Sequence, residues 1–282
     1  MSVNGQDWSS YNASQPAVNG LSFVFIKATE GTSYVNPLMA EQTAWARKNS
    51  LVVGFYHFLR PGSMSDQVSF FVEKALSVEG DLLALDWEDQ GVSCADKDAA
   101  LADLKAARPS HKTVLYCNKY FWQNIDTTSK CGDGLWIADY VPAGEPRIQD
   151  HWTFHQYSDT PVDEDVANFA DVSALRQWAN PTAVKPSVSL AHVVYAAEHD
   201  PALPQGHTTY AADVKLVEHA LNAEGLLSVK YATDGSYGTM TVEAYKKWQL
   251  RCGFSGPTQV DGIPGEKSLT KLGDRHGFTV AK

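Results

Sequence analysis

Cysteine is scarce in this 282-residue chain, and the four present, Cys94, Cys117, Cys131 and Cys252, form no CxxC pair. Thiolate zinc sites are built on such pairs, so no metal centre is expected on cysteine. The four read as free, mostly buried thiols, with a Cys94–Cys131 bridge left open for an oxidising compartment. Basic runs are missing as well. The 23 Lys and Arg are scattered among 33 Asp and Glu, for a formal charge of −10 and a pI near 5.3. Nucleic acids are held by clustered cations that neutralise phosphates, so no nucleic-acid partner is expected. No apolar run approaches the ~18–20 residues that cross a bilayer, so no membrane partner is expected either. Residues 1–15 (MSVNGQDWSSYNASQ) lack the basic start and apolar centre of an export signal. With no P-loop, and no GxGxxG after the first apolar run, nucleotide cofactors drop out, and no cofactor of any kind is expected.

What is present is a hydrophobic content of 44% with 11% aromatics, enough for an average barrel and a small second domain. SFVFIKAT (22–29), LVVGFYHF (51–58), LLALDW (82–87), TVLYCN (113–118), GLWIADYV (134–141) and TFHQYS (153–158) read as buried strands. PLMAEQTAWARKN, MSDQVSFFVEKALS and CADKDAALADLKAARP lie between the earlier ones and read as helices. Strand and helix alternate in βα units, which implies a parallel sheet with helices outside it. The later spacings leave room only for loops. Polar and aromatic residues gather where the strands end, in KATEG, YHFLRP, DWED, YCNKY and ADY. That asymmetry fits an irregular (β/α) barrel of TIM-like type with its site at one mouth, rather than an open doubly wound sheet.

The pattern breaks at ANPTAVKPSVS (179–189), whose prolines and small residues suit a linker. The expected organisation is a barrel over 1–179, a linker over 180–207 and a small α-helical domain over 208–282. The last has helices in ADVKLVEHALNAEGLL, TVEAYKKWQLRCGF and LTKLGDRHGF, separated by Asp-Gly turns in TDGSYG and VDGIPG. After residue 186 there are nine Lys or Arg against ten Asp or Glu, so the acidity belongs almost wholly to the first domain.

The chemistry is concentrated in LLALDWED (82–89). Side chains at i and i+2 of a strand share a face, so Asp86 and Glu88 point the same way. Mutual repulsion and burial favour keeping a proton on one of them, one route to a general acid near neutral pH. Asp7 lies in the first strand, Glu30 follows FVFIKAT, and VDEDVANF holds Asp163 and Asp165. In a closed barrel the first and last strands are neighbours, which lets Asp7 and Asp163 converge on Asp86 and Glu88.

GQDWSSYN, FVFIKATEGTSYVNP, GFYHFLRP, LALDWED, LYCNKYFW, LWIADY and HQYSDTPVDEDVANF resemble, in content and order, the motifs of the family 25 glycoside hydrolases, the muramidases of the Chalaropsis lysozyme type. The resemblance covers about residues 3–178. It implies a barrel of five parallel units closed by irregular strands, and cleavage of the β-1,4 bond between N-acetylmuramic acid and N-acetylglucosamine in bacterial peptidoglycan. It makes Glu88 the general acid and Asp86 its partner, with Asp7 and Asp163 completing the acidic ring. The family usually shows VD-x-N where this chain has VDED, which leaves Asp163 and Asp165 as alternatives for the fourth acid.

Tyr34, Tyr56, Tyr116, Trp136, Tyr140 and Trp8 are candidate platforms for sugar rings at the same strand ends, and Glu30 a candidate sugar ligand. Of these, Tyr56 and Trp136 are favoured by the motifs. His57 reads as a structural histidine, and HWTFH (151–155) lacks the Glu of a zinc HExxH helix. Residues 208–277 resemble the type 1 peptidoglycan-binding domain through ADVKLVEHALNAEGLL, DGSYGTMTVEAYKKWQ and VDGIPGEKSLTKLG. Barrel, wall binder and absent export signal together resemble a phage endolysin, held in the host cytoplasm until lysis and then acting on the cell wall. A secreted autolysin fits if a leader was removed. A wall amidase or peptidase, or a non-catalytic peptidoglycan-binding protein, are the alternatives.

Overall fold

Strict alternation of side chains organises the first part of the chain. In the computed structural model, which describes residues 3–181, 185–204 and 206–282, it contains β1 (Val3–Trp8), β2 (Leu21–Glu30), β3 (Tyr34–Val35), α1 (Met39–Lys48), β4 (Val52–Phe58), α2 (Met64–Lys74), β5 (Leu82–Asp86), α3 (Cys94–Ala107), β6 (Lys112–Asn118), β7 (Gly134–Ala138), β8 (Phe154–Ser158), β9 (Glu164–Ala167) and α4 (Val172–Ala179). The strands close in the order β1-β2-β4-β5-β6-β7-β8-β9, with β9 pairing back onto β1 and β3 extending the end of β2. Neighbours run parallel except at β9, which is antiparallel to both β8 and β1. The closure therefore has seven parallel strands and one antiparallel strand, not five parallel units. Only α1, α2 and α3 are full helices between barrel strands, and loops make the later connections, as the short spacings require.

Leu82, Ala84 and Asp86 face the barrel interior, while Leu83, Leu85 and Trp87 pack outward with α2 and α3 residues such as Phe71 and Leu104. The interior takes large rings because glycine stands opposite them: a Cβ on Gly54 would run into the Phe25 ring. Helix starts are set locally. Ser93 and Asp96 form a reciprocal capping box at α3, and Ser63 accepts from Asp66 N at α2. After β9, α4 brings Leu175 and Ala179 to the interior cluster, and its Arg176 bonds Ser50 O just ahead of β4, so it covers the N-terminal mouth. The C-terminal mouth is left for the acids.

The chain divides into two units, Met1–Ala183 and Val184–Lys282. The second contains β10 (Ser187–Ser189), α5 (Leu190–His199), α6 (Ala211–Ala223), α7 (Thr239–Arg251), α8 (Glu266–His276) and β11 (Thr279–Ala281). Most of the expected linker over 180–207 is thus part of this unit: β10 pairs parallel with β11, and Val188, Val193 and Ala196 are buried in its core. Proline and small residues masked an apolar set that only a tertiary partner reveals. Thr182–Val184 and Gln205 of that span lie outside the described residues. The helices expected from the tail's spacing correspond to α6, α7 and α8. Its Asp-Gly turns are held from inside, Tyr237 Oη donating to Gly262 O at 3.1 Å and Gln249 Nε2 to Asp261 Oδ1 at 3.0 Å.

Candidate active site

Parallel strands deliver their last inward residues to one mouth. Asp7 of β1, Tyr56 of β4, Asp86 of β5, Tyr116 and Asn118 of β6, and Gln156 of β8 reach it this way, with Glu88 two residues past Asp86. Antiparallel β9 arrives there with its N-terminal end, which brings Asp163 and Asp165. The pairing places Asp165 opposite Gly5 and opposite Gln156, one inward step from Asp7.

Burial dominates the electrostatics of these carboxyls. Asp7, Asp86 and Asp165 are 8%, 5% and 0% exposed, while Glu88 and Asp163 are half-buried. All five have pKa values above the ordinary carboxylate range, and for each the first cause is loss of hydration. Neighbouring negative charge adds to it: Asp163 and Glu88 act on Asp7, Glu88 on Asp86, and Asp163 on Glu88. The ring cannot ionise fully at once, so hydrogen bonds decide where charge resides. Asp7 Oδ2 accepts from Gln156 Nε2 at 2.7 Å. Glu88 has one long contact, from Asn118 Nδ2 at 3.4 Å. Asp86 Oδ1 is buried with no donor on it. Lys27, ion-paired to Glu30 at 2.6 Å, favours the charged forms of Asp86 and Glu88.

The expected sugar platforms separate into rim and floor. Tyr140 and Tyr34 are 54% and 36% exposed and stay available at the rim. Tyr56 and Tyr116 form the floor, and Tyr116 Oη donates to Gln156 Oε1 at 2.8 Å. Trp136 is not a platform. It is 2% exposed, its ring is stacked on Phe25 at 4.2 Å, and its indole N–H donates to Asp165 Oδ1 at 2.7 Å. Trp8 is likewise buried, with Nε1 on Gln6. Glu30 has both oxygens in ion pairs, Oε2 with Lys27 and Oε1 with Arg60, which hold its pKa below the usual value despite partial burial. That leaves it shaping the rim rather than free to take a sugar hydroxyl.

Gln156, Asn118 and Lys27 were not singled out in the sequence, although HQYS, YCNKY and FVFIKAT contain them; neutral amides and a lone lysine carry no charge pattern that marks them. His57 is structural as expected. It is fully buried, Nδ1 lies 2.7 Å from Thr29 Oγ1, and desolvation brings its pKa to about 4. Both nitrogens of His155 are engaged, Nε2 with Asp139 O at 2.7 Å and Nδ1 with Gly144 N at 3.1 Å. The four cysteines are free thiols, but only Cys117 is buried; Cys94 Sγ donates to Asp126 Oδ1 at 3.2 Å instead of bridging to Cys131. Among the described residues no cluster of His, Cys, Asp and Glu is arranged to hold a metal ion.

An acid ring at the C-terminal mouth of an eight-stranded barrel is the setting in which the comparisons with known proteins fall. The pattern described as Glycosyl hydrolases family 25 matches residues 3–166, more than half of the chain. The chain belongs to glycosyl hydrolases family 25. This member is a glycoside hydrolase with muramidase and lysozyme relatives. It is 34% identical to the N,O-diacetylmuramidase of Chalaropsis sp over 153 residues, 45% of this chain and 71% of that one. The lysozyme of Streptococcus phage Cp-1 is 28% identical over 54% of this chain and 48% of its own length. A solved family 25 lysozyme from Aspergillus fumigatus superposes with a TM-score of 0.57 at 26% identity, over 64% of this chain and all of that one. In the second unit, residues 210–272 match the pattern described as Putative peptidoglycan binding domain.

Proposed function

We propose that this family 25 enzyme is a muramidase that hydrolyses the β-1,4 bond between N-acetylmuramic acid and N-acetylglucosamine in bacterial peptidoglycan. The observation that carries the reading is the pairing of a weakly bonded, half-buried Glu88 with a buried Asp86 whose Oδ1 has no donor. Glycosidic cleavage needs a proton on the leaving oxygen and negative charge near the oxocarbenium-like carbon. Glu88, with its proton retained by burial, supplies the first. Asp86, whose charged form Lys27 favours, takes the acetamido N–H on its open oxygen, which supplies the donor that oxygen lacks, and polarises that group so that the acetamido carbonyl acts as internal nucleophile. Asp7 and Asp163 complete the field.

Tyr140 and Tyr34 at the rim give the sugar rings faces to rest on. The second unit anchors the enzyme on the insoluble polymer and raises its effective concentration there. Digestion of purified peptidoglycan tests the reaction: new reducing ends at muramic acid are expected, and new amino termini without them would replace the reading by an amidase or peptidase. Similarity to the lysozyme of a Streptococcus phage supports an endolysin role, with the protein confined to the host cytoplasm until the membrane is breached. Expressed in a bacterium with a susceptible wall, it should lyse cells only after the membrane is permeabilised; lysis without that step would reject the role.

A further inference from the structure

Asp165 has no role in the reaction outlined above, although it is the most deeply buried carboxyl of the barrel mouth. Its exposure is 0%, its Oδ1 accepts from Trp136 Nε1 at 2.7 Å, and its Oδ2 is buried without any N–H or O–H donor. The Asp7 carboxyl is its side-chain neighbour, Asp165 standing opposite Gly5, one inward step from Asp7. Two ionised carboxylates in such contact, away from water, would repel without relief, so a proton must lie between them. Burial decides its owner. Each carboxyl has one neutral N–H donor at 2.7 Å, Gln156 Nε2 on Asp7 and the Trp136 indole on Asp165, but Asp165 is 0% exposed against 8% for Asp7 and its second oxygen is wholly enclosed, so charge costs more on Asp165.

We propose that Asp165 is a positioning residue that works as a neutral carboxylic acid, donating its Oδ2–H to Asp7 and thereby fixing Asp7 as the ionised, immobile member of the acid ring. The aspartate in VDED then does what an amide in VD-x-N would do, accepting from the indole with one atom and donating with the other. The contact favours the charged form of Asp7 and the neutral form of Asp165, in line with this division. The groups facing the pair from the surrounding strands reinforce it: Asp163 on the approach to β9, Asp86 and Glu88 at β5, and Tyr56, Tyr116 and Tyr157 on β4, β6 and β8 bring no positive charge, while Lys27 of β2 acts on Asp86 and Glu88. Trp136, excluded as a sugar platform, acquires a purpose as the clamp that orients Asp165.

The proposal rests on Asp7 belonging to the catalytic ring, and the test separates the two. Full-length wild type, Asp165→Asn, Asp165→Leu and Asp7→Asn are compared by kcat/KM against pH on soluble glycan fragments, with infrared spectroscopy of the carboxyl C=O stretch. Asp165→Asn exchanges one neutral donor for another, so its profile should keep both limbs where wild type has them, with kcat/KM within about tenfold, and should lose one protonated-carboxyl band. Limbs displaced to lower pH by a unit or more would mean that a negative charge had been removed, and would overturn the proposal. Asp165→Leu removes the donor, so Asp7 should ionise less readily and the acidic limb move to higher pH. A wild-type profile in folded Asp165→Leu would reduce Asp165 to a space filler. If that variant does not fold, the infrared band and the Asp165→Asn profile decide. Asp7→Asn with normal activity would remove Asp7 from the ring, while the band would still report whether Asp165 carries the proton.

Discussion

At the scale of single residues, the site depends on protons held where water would not leave them. Glu88→Gln keeps the shape but cannot protonate the leaving oxygen, so hydrolysis should fall by at least the ~10²–10⁴ that general acid catalysis contributes. Asp86→Asn should also be severely impaired, through lost charge near the developing cation. A substrate with a pre-activated leaving group needs little protonation. It should partly restore turnover in Glu88→Gln and not in Asp86→Asn; equal rescue of both would show that the roles are misassigned.

The pH dependence follows from the same groups, and its sign is determined by which form works. In the proposed reaction Glu88 acts protonated, and its pKa is raised by burial, so activity should fall as pH rises through that raised value. Asp7 is proposed to act ionised, and its pKa is raised as well, so activity should fall again as pH drops through it. The profile of kcat/KM should be bell-shaped, with limbs belonging to the coupled ring rather than to one residue. A flat response from about pH 4 to 8 would leave both assignments without support.

At the scale of elements, the second unit contains a comparable burial effect unconnected to the catalytic chemistry. Glu218 on α6 is fully buried, accepts from Gly235 N at 3.0 Å and Thr241 Oγ1 at 3.1 Å, and ties the first Asp-Gly turn to the start of α7. Desolvation, with Asp234 nearby, raises its pKa from 4.5 to about 8. Unfolding lets it ionise at its ordinary value, so between those values the folded unit holds the extra proton. Stability from this group is complete below about pH 4.5 and is lost as pH climbs through about 8, by up to about 1.4 kcal/mol per unit. Glu218→Gln should flatten that decline in the second unit's melting temperature; an unchanged slope would mean that Glu218 is ionised in the fold.

Lys97 on α3 is the converse case, a buried cation that is fully paired. It is 0% exposed, with Nζ at 2.6 Å from Asp126, 2.8 Å from Asp98 and 2.9 Å from Lys130 O, under the Trp87 ring. Removing the cation takes the counter-ion from buried Asp126, while Asp98 keeps Lys130 at 3.1 Å, and breaking such a buried pair from one side costs about 3–5 kcal/mol. Lys97→Ala should lower the barrel's stability in denaturant titration by about that much, well beyond the ~1 kcal/mol typical of a surface ion pair.

At the scale of the whole molecule, the two units have separate apolar cores, one inside and around the barrel and one among α5 to α8. A chain ending at residue 183 should therefore retain the barrel's cooperative melting and its activity on short soluble fragments, with weaker action on intact walls. Ending at 183 matters because β10 and α5 belong to the second core. Loss of the barrel transition on this truncation would show that the units are not independent.

What the sequence determined by itself was whatever local periodicity encodes. Short apolar runs rich in β-branched and aromatic residues marked the parallel strands, the i, i+2 spacing put Asp86 and Glu88 on one face, and ordered motifs led to the family. These features require only the chain's own geometry. The tertiary structure decided the properties that depend on distant partners. It converted Trp136 and Trp8 from sugar platforms into buried supports, because the Phe25 ring on Trp136 and the core cluster around Trp8 are not written in their neighbourhoods. It committed Glu30 to Lys27 and Arg60, drew most of the expected linker into the second core, and brought Gln156 to Asp7, 149 residues away. It also separated the surroundings of Asp163 and Asp165, two residues apart where β9 begins, by closing β9 against β1 so that only the second was sealed from water. Burial raises the pKa of every carboxyl in the ring and hydrogen bonds divide the charge among them, and both arise only when the barrel closes.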